Sequence, residues 1–197
     1  MPFNTETRGI QFEFDPGKPP RRREVAAAVK PPLHTLSLLM RNKPGVLVRI
    51  SLVFSRRGYN LESLVLSPAL SVEGMDAMPG EFSRMTITCS GDPDRLEQII
   101  KQIEKLIDVV HAIDYTGKAV IETEVVLVKL KASLSGRTEI LQIAESFKAT
   151  VGDFGLESVI LQCAAETEKL DVFIAQLTPF GIIDLVRSGK ILMIYSS

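Results

Sequence analysis

The order of apolar patterns along this chain is strand, helix, strand, strand, helix, strand, and that order occurs twice. The first copy opens with Leu36, Leu38 and Met40, which alternate with their neighbours as in a strand buried mainly on one face. A turn at Pro44 and Gly45 then precedes a helical pattern. Two helices that cover one face of a four-stranded antiparallel sheet satisfy this order. The sequence therefore predicts an α+β protein made of two ferredoxin-like βαββαβ modules in tandem.

The helices are predicted from apolar residues that recur at 3.6-residue spacing. These stripes comprise Val46, Ile50, Val53 and Phe54; Leu96, Ile99, Ile100, Ile103, Leu106 and Ile107; Ile140, Leu141, Ala144 and Phe147; and Leu170, Phe173, Ile174 and Leu177. Asp92 and Pro93 are expected to begin the second helix, and Thr167 is expected to cap the fourth. Each module is predicted to close with a short strand, over residues 109–115 and 182–186.

The pattern also predicts three regions. Residues 1–32 contain several prolines and the run Arg21–Arg23 without a sustained apolar period, so we expect a flexible tail there. Residues 33–116 form the predicted first module and residues 117–197 the second, with Gly117 and Lys118 at the seam. The segment between Pro68 and Phe82 is longer than a tight hairpin requires.

Composition excludes several classes of function. A net charge of −1 gives no field that would attract nucleic acid. Charged residues interrupt the apolar runs well before the roughly 18 residues of a membrane helix, so we expect no membrane span. Cys89 and Cys163 lie in strand-like runs without CxxC spacing, which predicts buried thiols, no metal site and a cytoplasmic protein.

The start of the first helix is the candidate binding site. The first N–H groups of a helix lack intrahelical partners, and the macrodipole favours an anion there. Gly45 would let the main chain of a ligand approach, while Asn42 or Asn60 could accept a hydrogen bond from its ammonium group. Pro-Gly is also a common turn signal, and Asn60 suits a turn after Gly58, so these residues alone leave an ordinary turn as the simpler interpretation.

Five ordered blocks of sequence carry a family resemblance. They are Asn42–Leu47, Phe54–Leu64, Ser83–Thr86, Leu127–Lys129 and Arg187–Gly189. From Leu36 to about Gly189 the chain resembles the small, regulatory subunit of acetolactate synthase (acetohydroxyacid synthase), and its first module resembles an ACT domain. The resemblance implies a homodimer through the ACT domain. It also implies an effector site formed by Asn42, Gly45, Val46 and Leu47 of one protomer with Asn60 of the other.

The resemblance further implies what such a subunit does. It would bind the catalytic large subunit, raise its activity and confer feedback inhibition by valine or a related branched-chain amino acid. No cofactor is implied on this chain, because thiamine diphosphate, Mg²⁺ and FAD are expected on the large subunit.

Two alternatives come from other classes of protein. An independent enzyme is disfavoured because no dinucleotide, Walker, zinc-protease or nucleophile-elbow motif occurs and His34 and His111 stand alone. A free-standing ACT-type sensor of amino acids that acts on another partner fits the same fold.

Overall fold

A computed structural model describes residues 32–69, 78–132 and 136–195. The predicted flexible tail, apart from Pro32, and residues 70–77 of the long loop lie outside these described residues. Within them, the βαββαβ order is present twice. The predicted pair of ferredoxin-like modules is therefore confirmed.

The first module consists of four strands and two helices. In chain order these are β1 (Leu33–Arg41), α1 (Val46–Arg56), β2 (Asn60–Ala69), β3 (Phe82–Ser90), α2 (Pro93–Ile103) and β4 (Val109–Asp114). Asp92 caps α2 as predicted, because its carboxylate accepts a hydrogen bond from the N–H of Asp94.

The second module repeats this order and adds one strand. Its elements are β5 (Val120–Lys131), α3 (Arg137–Ser146), β6 (Thr150–Phe154), β7 (Ser158–Ala165), α4 (Thr167–Leu177), a short 3₁₀ turn (Thr178–Phe180), β8 (Ile182–Arg187) and β9 (Ile191–Ile194).

Both sheets are antiparallel and share one topology. The first has the strand order β2-β3-β1-β4, and the second has the equivalent order β6-β7-β5-β8. In each module the helices cover one face, and the buried side chains of the central strands pack against them in a separate core. Phe54 and Ile99 anchor the first core, whereas Phe173 and Ile140 anchor the second. Helix α1 packs on the β2 side of the first sheet and α2 on the β4 side.

Helix α2 is shorter than the apolar stripe predicted. It ends at Ile103, and two tight turns follow, from the N–H of Leu106 to the carbonyl of Ile103 and from the N–H of Val109 to the carbonyl of Leu106. These turns send the chain back into β4. Leu106 and Ile107 consequently lie outside the helix, and Ile107 is 93% exposed, so their assignment to the helical stripe was wrong.

Thr167 does not cap α4, contrary to prediction. The N-cap position is Glu166, and the Thr167 hydroxyl instead donates a 2.7 Å hydrogen bond to Glu124. Glu124 is a buried carboxylate on β5 and needs such partners. The local sequence could not predict this hydrogen bond, because the two residues are 43 positions apart.

The additional strand β9 creates a two-stranded ribbon that the sequence did not predict. β9 pairs with the first part of β5, with Val120 opposite Ile194 and Thr123 opposite Ile191. We call residues 120–123 and 191–194 the C-terminal ribbon. The later part of β5 pairs with β7 and β8, so one strand serves both arrangements.

The C-terminal ribbon lies over the face of the first sheet opposite α1 and α2. That face carries hydroxyl side chains, and we call it the hydroxyl face. Its buried members include Thr35, Ser37, Thr86 and Thr88, together with the apolar Leu39. Residues of the ribbon and of this face jointly line two clefts of about 390 and 310 Å³. The second module therefore covers the free face of the first sheet.

Candidate functional site

Helix α1 begins at a glycine in the left-handed conformation. Gly45 is its N-cap residue, with φ of 81° and ψ of −6°, and an added Cβ would meet no atom within 4 Å. No side chain caps this helix, and its first turn contains no acidic residue. The N–H of Val46 donates a long hydrogen bond of 3.4 Å to the carbonyl of Lys43. The open space at Gly45 and the following N–H groups of the helix start together suit the carboxylate of a small ligand.

The other helices of the described part of the chain begin differently. Helix α2 has both the Asp92 cap and an acidic residue, Asp94, in its first turn. Helices α3 and α4 have no side-chain cap, but Glu139 and Glu168 place a carboxylate in their first turns. These acidic groups offset the positive end of each helix dipole. Helix α1 alone among these four has neither a cap nor such a charge.

A buried carboxylate holds the loop before α1. Asp108, in the turn before β4, forms an ion pair with Arg49 of α1, and its other oxygen lies 3.6 Å from the Lys43 ammonium. The Asp108 carbonyl also accepts a hydrogen bond from the N–H of Arg41 at 2.7 Å. Sequence reasoning missed Asp108, since an isolated acid beside an exposed Ile107 gives no periodic signal. Through these contacts Asp108 holds Arg41 and Arg49, which lie on either side of Gly45.

Asn42 is anchored on its donor side. Its main-chain N–H donates to the carbonyl of Glu81 at 2.8 Å, and its side-chain amide nitrogen donates to the carbonyl of Gly80 at 3.1 Å. Asn42 is exposed, and its amide oxygen is the remaining acceptor of the side chain. This orientation is compatible with accepting a hydrogen bond from an ammonium group.

Val46 and Leu47 would contribute in different ways. The side chain of Val46 is only 1% exposed and belongs to the core, so only its main chain can meet a ligand. Leu47 is 38% exposed and can offer apolar contact. The structure thus brings Asn42, Gly45, Val46 and Leu47 together on one short segment.

Asn60 lies at the opposite end of the first sheet. It pairs with Ser90, which also pairs with Leu33 at the start of β1, whereas Arg41 at the end of β1 pairs with Phe82. Because a strand advances about 3.4 Å per residue, the eight steps from Leu33 to Arg41 separate these ends by roughly 27 Å. Within one protomer, Asn60 therefore cannot reach a ligand at Gly45.

The edge of the first sheet next to α1 is open within the described chain. β2 is an edge strand, and its free main-chain groups can pair with another strand. On the neighbouring helix, Val48 and Leu52 are 61% and 45% exposed, one helical turn apart. Exposed apolar side chains and an unpaired strand edge are each common features of an interface.

The remaining polar groups offer little chemistry. Burial, aided by the charges of Asp114 and Glu62, raises the pKa of the Cys89 thiol to about 12. Burial also raises the pKa of Cys163. Across the described residues, no three His, Cys, Asp or Glu side chains are grouped so as to hold a metal ion. Helices long and apolar enough to cross a membrane are likewise absent from the described ranges.

The largest of the three clefts found lies elsewhere. It has a volume of about 550 Å³ in the second module and is lined in part by Lys129, Lys131 and Ser158. None of the three clefts includes Asn42, Gly45 or Asn60. The candidate site is therefore defined by the start of α1.

Comparison with known proteins gives consistent matches along the chain. Residues 36–111 match the family described as "AHAS small subunit-like ACT domain", and residues 123–196 match "Small subunit of acetolactate synthase". The acetolactate synthase small subunit of Mycolicibacterium smegmatis is 38% identical over 160 residues, which cover 81% of this chain and 89% of that one. The corresponding Mycobacterium leprae protein is 36% identical, with 81% and 90% covered.

A solved structure agrees with these matches. The crystal structure of the acetolactate synthase small subunit from Thermotoga maritima superposes with a TM-score of 0.71 at 28% sequence identity. The superposition covers 84% of this chain and 99% of that one. The chain is thus similar in sequence to the mycobacterial small subunits and in fold to the one from Thermotoga maritima.

Proposed function

Because this chain belongs to the family of acetolactate synthase small subunits, with an ACT domain as its first module, we propose that it activates a catalytic large subunit and makes it sensitive to valine. The family assignment confirms the resemblance carried by the five sequence blocks. The regulatory role follows from the family, while activation and valine feedback are the finer steps of this proposal.

The chemistry belongs to the large subunit in this proposal. That partner would carry thiamine diphosphate, Mg²⁺ and FAD and would form acetolactate, whereas this chain would contribute no catalytic residue. The buried cysteines fit a reducing cytoplasm as the location of the complex.

The observation that carries the effector site is the start of α1. A bound amino acid would place its carboxylate at the main-chain N–H groups that follow Gly45, where neither a side-chain cap nor an acidic residue competes. The amide oxygen of Asn42 would accept a hydrogen bond from the ammonium group. Leu47 would contact an aliphatic side chain of the size of valine or a related branched-chain residue.

A homodimer would complete this site. In an antiparallel pairing of β2 with β2 of a second copy, the start of one strand lies opposite the end of the other. The end of β2, Ala69, pairs with Phe82, which pairs with Arg41 close to Gly45. The pairing would therefore bring Asn60 of the second copy close to Gly45 of the first. Within a single protomer these two residues are roughly 27 Å apart. The exposed Val48 and Leu52 belong to α1, the helix on the β2 side of the sheet, and would be covered by the second copy in this proposal.

Reconstitution with the large subunit tests the proposal. We expect acetolactate formation from pyruvate to rise when this chain is added and to fall when valine is titrated in. Gly45→Asp should raise the valine concentration for half-inhibition at least tenfold, about 1.4 kcal/mol of binding free energy. The introduced carboxylate would occupy the N–H groups and repel the carboxylate of the ligand. Activation by this variant should be retained.

Gly117→Asp is the matched control. Gly117 also has a positive φ, 68°, with no atom within 4 Å of an added Cβ, so the variant reproduces the charge and the backbone conformation away from α1. It should remain sensitive to valine. Full sensitivity of Gly45→Asp would show that the site is wrong.

A free-standing amino-acid sensor is the alternative within the same fold. It would bind valine in calorimetry, yet tagged protein would recover no thiamine-dependent large subunit and would not change acetolactate formation. If tagged protein recovers a large subunit and increases its acetolactate formation, the proposed regulatory role is supported over the free-standing sensor.

A further inference from the structure

The turn after β8 brings the backbone of the second module against β2 of the first. Gly189 has φ of 85°, and a Cβ added there would lie 2.7 Å from both Cβ and Oγ of Ser63 and 3.4 Å from Cγ2 of Val65. Cβ atoms do not tolerate contacts of 2.7 Å. Position 189 thus requires glycine for two independent reasons, its backbone conformation and its contact with β2. This glycine belongs to the block Arg187–Gly189, to which the function proposed above gives no role.

The two preceding residues fix the turn to the second module. Arg187 donates from Nε to Glu124 at 3.0 Å and from a terminal nitrogen to Asp171 of α4 at 2.6 Å. Burial alone would lower the pKa of Arg187, but these two carboxylates outweigh it and raise the pKa above its ordinary value. Ser188 exchanges two hydrogen bonds with the backbone of Val125, at 2.9 and 3.0 Å. These hydrogen bonds attach the turn to β5 and α4.

The other side of the contact belongs to the strand that carries Asn60. Ser63 follows Asn60 by three residues on β2, and the pairing register of β2 with β3 shifts between Leu61 and Ser63. Such a β-bulge is a local irregularity that re-aims the residues beside it. Glu62, at the bulge, accepts hydrogen bonds from Asn60 at 2.8 Å and from Ser90 at 2.6 Å. A displacement of Asn60 is thereby linked to the position of Ser63.

The face on which the ribbon rests is suited to adjustment. Hydroxyl groups rather than large apolar side chains line much of it, and the Oγ1 atom of Thr88 is buried without a hydrogen-bond partner among the described residues. A buried hydroxyl without a partner carries a desolvation cost that opposes tight closure. Polar contacts between modules also permit relative motion more readily than a large apolar interface does.

We propose that the contact between Gly189 and Ser63 is the junction through which the second module and the effector site are coupled. Effector binding that holds Asn60 would set the position of β2 at Ser63 and, through Gly189, the position of Arg187, which is bound to Asp171 of α4. By linkage, a change at Gly189 must then alter effector affinity, although the turn does not contact the effector. The inference rests on the proposed valine site and adds the route by which that site is connected to the second module.

Gly189→Ala tests the junction directly. The added methyl must displace β2 or the turn, so we expect the affinity of the isolated small subunit for valine, measured by calorimetry, to fall about fivefold or more. Gly117→Ala is the matched control, because it imposes a similar positive-φ strain with no atom near the new methyl. It should leave the affinity within about twofold of wild type.

A second pair of variants separates the contact from strain. Ser63→Gly removes the two atoms closest to the new methyl, so Gly189→Ala should change the affinity far less in a Ser63→Gly background than in wild type. Ser63→Thr adds bulk at the same contact without a change at Gly189. Ser63→Thr should also weaken valine binding. It replaces Gly189→Ala as the test if that variant does not fold.

Hydrogen exchange distinguishes failure of the junction from failure of the proposed effector. Amides of residues 61–65 should exchange faster in Gly189→Ala than in Gly117→Ala, whether or not valine binds. If wild type binds valine and Gly189→Ala binds it equally well, the junction is overturned and the valine site stands. If wild type does not bind valine, the proposed effector fails, and unchanged exchange at residues 61–65 would overturn the junction as well.

Discussion

Cys89 shows how burial of a single side chain makes stability depend on pH. Its thiol is fully buried on β3, and burial raises its pKa from 9.0 to about 12. The stabilising contribution of this shift is complete below pH 9, where the thiol is protonated in both the folded and the unfolded chain. It is lost as the pH rises from 9 towards 12, because only the unfolded chain then ionises readily.

We predict that Cys89→Ala reduces the dependence of stability on alkaline pH. Between pH 8 and 10.5 the unfolding free energy of wild type should fall by about 2 kcal/mol more than that of the variant. Urea titrations of both proteins under reducing conditions measure this difference, in which the other titrating groups largely cancel. Equal losses would mean that Cys89 ionises normally in the folded protein.

At the scale of elements, Asp108 connects the turn before β4 to the loop before α1. Asp108→Asn keeps the shape of the side chain but removes its charge, so the ion pairs with Arg49 and Lys43 are weakened. Because both cations are about half exposed, we expect a loss of only about 1–2 kcal/mol in unfolding free energy. Thermal unfolding measures it.

Glu97→Gln provides the control for this loss. Glu97 forms an exposed ion pair with Lys101 on α2, and its removal should not change the melting temperature measurably. If Asp108→Asn and Glu97→Gln have the same melting temperature, Asp108 does not stabilise the loop before α1.

The elements also show which parts of the structure a sequence can predict. The central strands and helical stripes were predictable because Leu36, Leu38 and Ile50 follow regular periods that burial on one face requires. Strand β9 was not predicted, since its pairing with β5 depends on a partner about 70 residues earlier in the chain. Asn42 and Gly45 were predicted as site residues from helix-start chemistry, and Val46 and Leu47 from the family resemblance. Asp108 and Gly189 act through tertiary contacts that leave no local pattern.

The whole molecule is predicted to be a dimer through the first module. Replacing Val48 and Leu52 together by Asp would place two charges on the exposed surface of α1, the helix on the β2 side of the sheet. The variant should be monomeric by light scattering, because like charges would meet across the twofold axis. It should also bind valine at least tenfold more weakly, since Asn60 of the partner could no longer complete the site.

Val172→Asp tests whether this effect is specific. Val172 is 51% exposed on α4 of the second module, so the variant adds a charge to a helix that the proposed dimer does not use. It should remain dimeric and bind valine as wild type does. A dimer that persists in the Val48 and Leu52 variant would place the interface elsewhere.

The shared strand β5 has a practical meaning for engineering. A chimera that takes its effector specificity from a relative by exchanging residues 33–116 would lay a foreign sheet beneath the native residues 120–123 and 191–194. The packing at Gly189 and Ser63 would then be mismatched, even if every residue at the start of α1 were correct. A transplant of feedback sensitivity should therefore carry the ribbon and the turn at Gly189 with the donor domain.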